Sequence, residues 1–249
     1  MPKKHDGKVV LISGGTAGIG KAASLKLLDS GYSVSAFAKN STSCKILLKE
    51  IKGKYSASSF LISRADVTKE NDVKKAVGAT IKKFGRIDVL INNAGKGYFD
   101  DIEHFRKKEY EDLLMLNVVS LALLTKHAVP SMKKHGHGMI INMASISGKE
   151  SGPEREFYSA SKFGVMGFSE GLRKEMSPFG IKVCTVCPGM VKTGFFSQQE
   201  IARRKRGNKG KMPLMLMPED IAEAIHFIIS QPEHSEIRDI TIMPFENKN

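Results

Sequence analysis

Short apolar runs alternate with helical patterns along almost the whole chain, and this alternation constrains the fold more than any other feature. Residues 8–13, 32–38, 60–65, 87–92, 139–144, 181–187 and 237–243 read as strands. Helical patterns lie between them at 18–30, 42–54, 69–84, 107–135 and 157–177. A last helix begins at Pro218-Glu-Asp, where proline and two acids suit a first turn. Strands that are apolar throughout, each followed by a helix, predict a parallel sheet covered on both faces. Right-handed crossovers then give a doubly wound, Rossmann-type α/β sheet, with ligands at the carboxyl ends of its strands. No repeat, low-complexity tract or linker interrupts the 249 residues, so residues 1–249 are expected to form one domain.

Three cysteines argue against a disulfide framework. Cys184 and Cys187 form a C-x-x-C, but on a strand side chains three apart point to opposite faces. No second pair completes a zinc site, so packing explains them and no metal is expected. No stretch reaches the roughly 18 uninterrupted apolar residues of a membrane span. The first residues, Met1-Pro-Lys-Lys-His-Asp-Gly, carry no signal-like apolar segment, and a cytoplasmic protein is expected. The net charge is +13, which raises the question of an anionic partner. Lysines scattered over the helices are explained by solvated faces. Residues 192–211 differ, with seven basic residues against Glu200.

The first strand ends in Ser13-Gly-Gly-Thr-Ala-Gly-Ile-Gly20. Glycines at a strand-to-helix turn let the backbone approach a pyrophosphate, whose charge then sits on the helix N-terminus. Glycine turns are common, and this one alone would decide little. Its spacing, Gly14, Gly18 and Gly20, resembles the T-G-x-x-x-G-x-G motif of the classical short-chain dehydrogenase/reductase family, with Ser13 keeping the hydroxyl. The resemblance continues through Asn92-Asn-Ala-Gly95 after the fourth strand and Asn117 in the long helix. Ser145 closes the fifth strand, Tyr158-Ser-Ala-Ser-Lys162 matches Y-x-x-x-K, and Cys187-Pro-Gly-Met-Val-Lys-Thr193 is similar to P-G-x-V-x-T. Several motifs in one order, each at the end of its strand or on its helix, are not a coincidence of composition.

The resemblance implies an oxidoreductase with Asn117, Ser145, Tyr158 and Lys162 as catalytic residues. It implies a nicotinamide cofactor held by Gly14, Thr16, Gly18, Ile19, Gly20, Asn93, Ala94, Gly95, Tyr158, Lys162, Pro188, Gly189, Val191 and Thr193, with Asp66 and Val67 at the adenine. In that scheme Lys162 also holds the nicotinamide ribose, Ser145 bonds the substrate oxygen, and Asn117 holds a water linking Lys162 to solvent. A homo-oligomer, dimer or tetramer, is implied too. Tyr158 and Lys162 are four apart and share a helix face. An ammonium about 4 Å from a phenol favours phenolate by about 4 kcal/mol at an effective dielectric of about 20. That predicts a Tyr158 pKa drawn from its ordinary value of about 10 towards ~7.

Ala38-Lys39-Asn40 at the end of the second strand lacks the acid that NAD enzymes place on the ribose. Lys39, with Asn40 beside it, could instead meet a 2′-phosphate, so NADP is the expected cofactor. Ala17 stands where many NADP-preferring relatives carry a basic residue. The substrate is expected to be a small molecule under a loop at residues 194–217. The segments Pro218-Glu-Asp-Ile-Ala-Glu-Ala-Ile, Pro232-Glu-His and Ile240-Thr-Ile-Met-Pro244 look like the NADP-dependent serine/3-hydroxy acid dehydrogenase branch. A 3-hydroxy or 3-oxo acid would suit the basic cluster Arg203-Arg-Lys-Arg206 with Lys209 and Lys211, although a solvated loop would explain those charges equally. A 3-oxoacyl-acyl-carrier-protein reductase is an alternative. So is an NADP-sensing or nucleic-acid-binding regulator, which the intact Ser145, Tyr158 and Lys162 argue against.

Overall fold

A computed structural model describes residues 7–207 and 210–245, apart from the side chains of Gln199, Arg203 and Arg204. Lys209 of the basic cluster lies outside the described residues. Seven strands, β1 (Val9–Ser13), β2 (Ser33–Ala38), β3 (Phe60–Arg64), β4 (Val89–Asn92), β5 (Gly138–Met143), β6 (Ile181–Pro188) and β7 (Asp239–Ile242), form one parallel sheet in the order β3-β2-β1-β4-β5-β6-β7. The expected doubly wound sheet is present. Its strand order reverses between β1 and β4, which places a crevice above their carboxyl ends.

The helices are α1 (Gly18–Asp29), α2 (Ser41–Ile51), α3 (Glu70–Phe84), α4 (Lys107–Leu114), α5 (Ser120–His135), α6 (Glu156–Met176), α7 (Gln198–Gly207) and α8 (Pro218–Ile229). One apolar core joins α1, α2 and α8 to the sheet through Leu27, Leu47 and Ile225. A second joins α3, α5 and α6 to the other face through Val77, Leu124, Ala128 and Met176. Cys184 belongs to the first core and Cys187 packs with Val165 on the opposite face, as strand alternation requires. Burial pushes the Cys184 thiol up to about 12, so it stays an inert packing group.

Two departures bear on the site. The long helix at 107–135 is continuous, but Met115–Val119 forms a π-helical turn between α4 and α5, a distortion that often marks functional positions. By length and hydropathy this run could cross a membrane; here α5 packs on α3 as a layer of the fold. The connection after β6 is no plain loop. Ser197 Oγ accepts the Glu200 amide at 3.2 Å and starts α7, a capping signal already present as Ser197-Gln-Gln-Glu200. The excursion is pinned at its root, where Lys192 N donates to Leu216 O and Leu216 N to Met190 O, both at 2.8 Å.

Candidate active site

The glycine turn between β1 and α1 is tied to the strand beside it. The Ser13 hydroxyl accepts the amides of Asn93 (3.1 Å) and Ala94 (3.2 Å), and Asn93 Nδ2 donates back to Ser13 O (3.0 Å) and Gly14 O (3.2 Å). The hydroxyl that Ser13 shares with threonine is therefore the working part of that position. Gly14 and Gly18 have positive φ of 64° and 50°. A Cβ on Gly20 would stand 2.2 Å from the Gly14 carbonyl oxygen, so only glycine lets α1 begin this close to the turn. No acid lies in the first turn of α1 and no side chain caps it. Such a helix end, facing a cleft, suits a phosphate group.

The turn opens on a cavity of about 800 Å³ at the crevice between β1 and β4. Of the sequence-predicted residues, Gly14, Thr16, Gly18, Ile19, Lys39, Asn40, Asp66, Val67, Asn93, Ala94, Gly95, Ser145, Tyr158, Lys162, Pro188, Gly189, Val191 and Thr193 line it. Two do not, Gly20 and Asn117. Gly20 acts behind the wall, as above. Asn117 is 2% exposed on the π turn. Its Oδ1 accepts the Lys96 amide (3.0 Å), while Nδ2 donates to Lys96 O (2.9 Å) and Ser161 Oγ (3.1 Å). Gly95 lies beside it: a Cβ there would be 3.2 Å from Asn117 Oδ1 and 3.8 Å from Lys162 Nζ, so a side chain would crowd Asn117.

Tyr158 and Lys162 share the inner face of α6, and both are buried. The Lys162 ammonium lies near the Tyr158 ring, held there by the backbone. Lys162 Nζ donates to the Met143 carbonyl at 2.8 Å and stands 5.7 Å from the centre of the Tyr158 ring. Burial pushes the Tyr158 phenol up to about 12, against a smaller lowering by its hydrogen bond with Ser145. The expected fall towards ~7 is thus corrected for the protein by itself, because desolvation disfavours the charged form of either group. Lys162 is itself lowered by burial to about 8. Ser145 is fixed by donating at 3.5 Å to Pro188 O and accepting the Ser147 amide at 3.1 Å.

The Lys162 shift has a measurable consequence. Below pH 8 the lysine is charged in both folded and unfolded chains, and burying that charge costs stability. Between about pH 8 and the ordinary 10.5 the folded chain sheds the proton while the unfolded chain keeps it, so stability rises with pH. Urea unfolding at pH 7.5 and 10 should show wild type gaining on Lys162→Met by about 2 kcal/mol. Equal pH dependence of the two proteins would contradict a buried, charge-penalised lysine.

At the far end of the cavity Lys39 Nζ pairs with Asp66 at 3.0 Å, which joins the residue expected at a 2′-phosphate to the one expected at adenine. Lys39 remains 77% exposed. Thr16 and Ser43 exchange a hydroxyl hydrogen bond of 2.7 Å on the same wall. Ser43 escaped the sequence reading; its one signal is a place in the first turn of α2, where its amide donates to Asn40 Oδ1. Phe99, four residues past Gly95, also lines the cavity, as do Phe195 and Phe196 at the start of the segment expected over the substrate. Asp100, Asp101 and His104 bring potential metal-ligand atoms within 4.8 Å, but as surface ion pairs that also engage Arg106.

The profile of the short-chain dehydrogenase family matches residues 8–204. The chain belongs to that family. An uncharacterized oxidoreductase of Staphylococcus aureus (strain MRSA252) is 31% identical over 237 residues, covering 95% of this chain and 97% of the relative. A short-chain dehydrogenase structure from Streptomyces avermitilis is 26% identical with a TM-score of 0.82, covering 97% of this chain and 89% of that one. An alcohol dehydrogenase of the archaeon Thermococcus sibiricus, solved with 5-hydroxy-NADP, shares the fold at 22% identity, a TM-score of 0.82 and coverage of 95% and 96%. A short-chain dehydrogenase of this kind is an oxidoreductase.

Proposed function

We propose that the protein is an NADP(H)-dependent oxidoreductase that moves a hydride between nicotinamide and a small carbonyl or alcohol, with Tyr158 transferring the proton. One juxtaposition carries the reading: Ser145, Tyr158 and Lys162 stand on the wall of the same cavity that the glycine turn opens. The cofactor fits there. The turn and the start of α1 suit its pyrophosphate, and the cavity runs from Thr16, Ser43 and Asp66 to Tyr158. When bound, the reduced nicotinamide supplies the hydride to the carbonyl carbon.

The chain's own residues handle the oxygen. A protonated Tyr158 donates its proton to the carbonyl oxygen, and the Ser145 hydroxyl donates a hydrogen bond to it as negative charge grows. Lys162 holds the ribose, and Asn117, which shares the Gly95 corner with Lys162, would hold a water that returns a proton from solvent. The 3-oxo acid expected from the basic cluster gains no support from the wall, since Lys205, Arg206 and Lys211 do not line the cavity. We also read the chain as a homo-oligomer: Val119 on the long helical run and Phe163 on α6 are exposed apolar side chains.

The choice of NADP rests on the missing acid in Ala38-Lys39-Asn40, all three on the cavity wall, and on Lys39 being free to turn outward from Asp66. The neighbour from Thermococcus sibiricus holds an NADP derivative in the same fold. Purified protein should oxidise NADPH with a panel of aldehydes and ketones at a kcat/KM at least tenfold above that with NADH. Ala38→Asp with Lys39→Leu should reverse much of that preference, because the new carboxylate repels a 2′-phosphate and accepts hydrogen bonds from a free ribose. Equal kcat/KM for both cofactors in wild type would sink the NADP assignment.

A further inference from the structure

The rings beside Tyr158 come from two distant stretches of chain. Phe99 follows β4, and its centroid lies 5.1 Å from that of Tyr158. Phe195 follows β6 and lies 5.7 Å from Tyr158. Phe196 completes the group, 6.0 Å from Phe99 and 5.3 Å from Phe195. All three line the cavity that holds Ser145, Tyr158 and Lys162.

This wall is built rather than incidental. Gly97 lies directly beneath it: a Cβ there would stand 2.3 Å from Phe99 Cε2 and 2.9 Å from Phe195 Cε1. The two rings close over bare backbone. Phe195 and Phe196 sit just beyond the hydrogen-bonded root of the excursion after β6, and the Phe195 amide donates to Thr193 Oγ1 at 3.3 Å. Behind Tyr158, Phe157 packs on Tyr98 (5.3 Å), Phe105 (4.8 Å) and Tyr110 (5.1 Å), which backs the wall with further rings.

The described cations of the basic stretch lie off this wall. From the basic stretch at 192–211, the residues on the cavity wall are Thr193, Gly194, Phe195 and Phe196, with no described cation among them. Lys96 and Arg155 are the wall cations besides Lys39 and Lys162 among the described residues. A carboxylate brought to Tyr158 would lose water against phenylalanine rings, which offer it no hydrogen bond. A flat apolar ring gains offset or edge-on contact with the same surfaces.

We propose that the substrate is an uncharged carbonyl compound bearing an aromatic ring, clamped by Phe99, Phe195 and Phe196 with its oxygen at Tyr158. This rests on the reading of the cavity as a hydride-transfer site. Acetophenone and 4-methylacetophenone, compared with acetoacetate and ethyl acetoacetate at saturating NADPH, test it. The ring ketones should exceed acetoacetate at least tenfold in kcat/KM. Phe99→Leu, which keeps apolar volume but loses the ring, and Phe195→Ala should each cut that ratio about tenfold, mainly through KM for the ring ketones. Acetoacetate as the better substrate, or an unchanged ratio in both variants, overturns the clamp. A binding measurement separates this from failure of the hydride-transfer reading. Calorimetric titration of acetophenone and acetoacetate into Tyr158→Phe, with NADP present, needs no turnover. Acetophenone binding that weakens about tenfold when Phe99→Leu is added supports the clamp even if no carbonyl is ever reduced. Absence of acetophenone binding, or tighter binding of acetoacetate, overturns it whatever the activity.

Discussion

Tyr158→Phe is expected to lower kcat for carbonyl reduction by at least 10²-fold, and by up to about 10⁴-fold, while NADPH affinity changes less than about threefold. The range is that of a lost general acid in a positioned site. The ring is kept, so its contacts with Phe99 and Phe195 survive, and only the hydroxyl beside Ser145 is removed. Single-turnover reduction and fluorescence titration of NADPH separate the two quantities. A variant that kept more than about a tenth of wild-type kcat would exclude Tyr158 as the proton donor. The structure also makes a structural role easy to distinguish, since the hydroxyl contributes nothing to the apolar packing that phenylalanine preserves.

Gly20→Ala should be the most damaging change of a single methyl group in the chain's first half. Its Cβ meets the Gly14 carbonyl oxygen at 2.2 Å and Asn93 Nδ2 at 2.5 Å, and the first of these is backbone that cannot rotate away. Relief requires α1 to shift from the turn, which disrupts the tie between Ser13 and Asn93 and moves the helix end offered to phosphate. The expected loss is about 3 kcal/mol or more in unfolding free energy, with at least tenfold weaker NADPH binding. Gly171→Ala is the matching control. That glycine lies within α6 with nothing within 4 Å of an added Cβ, so alanine should stabilise by up to about 1 kcal/mol. If the two variants had the same unfolding midpoint, the steric account of the glycine turn would be wrong.

The order of elements and the parallel sheet were legible in the sequence because each depends on local pattern, and about half of the cavity wall was legible through the resemblance of its motifs. An apolar run after a helix makes a buried strand, and a glycine spacing or a tyrosine four before a lysine sets where a side chain can stand. Ser197-Gln-Gln-Glu200 is equally local and marks the start of α7. What the pattern could not supply depends on distance across the fold. Lys162 and Tyr158 share a helix face by their spacing, but the Met143 carbonyl, nineteen positions before the lysine, decides where the ammonium rests. Burial then decides the protonation of both groups, and burial belongs to the packed whole. Lys39 met Asp66 for the same reason, since β2 and β3 are neighbours only in the sheet. Phe99 and Phe195 are separated by almost a hundred residues and bear on Tyr158 only because β4 and β6 end on one rim of the sheet. Sequence alone determined which chemical groups the chain carries and on which elements; the tertiary structure decided which of them meet, because contact, desolvation and charge all act through space.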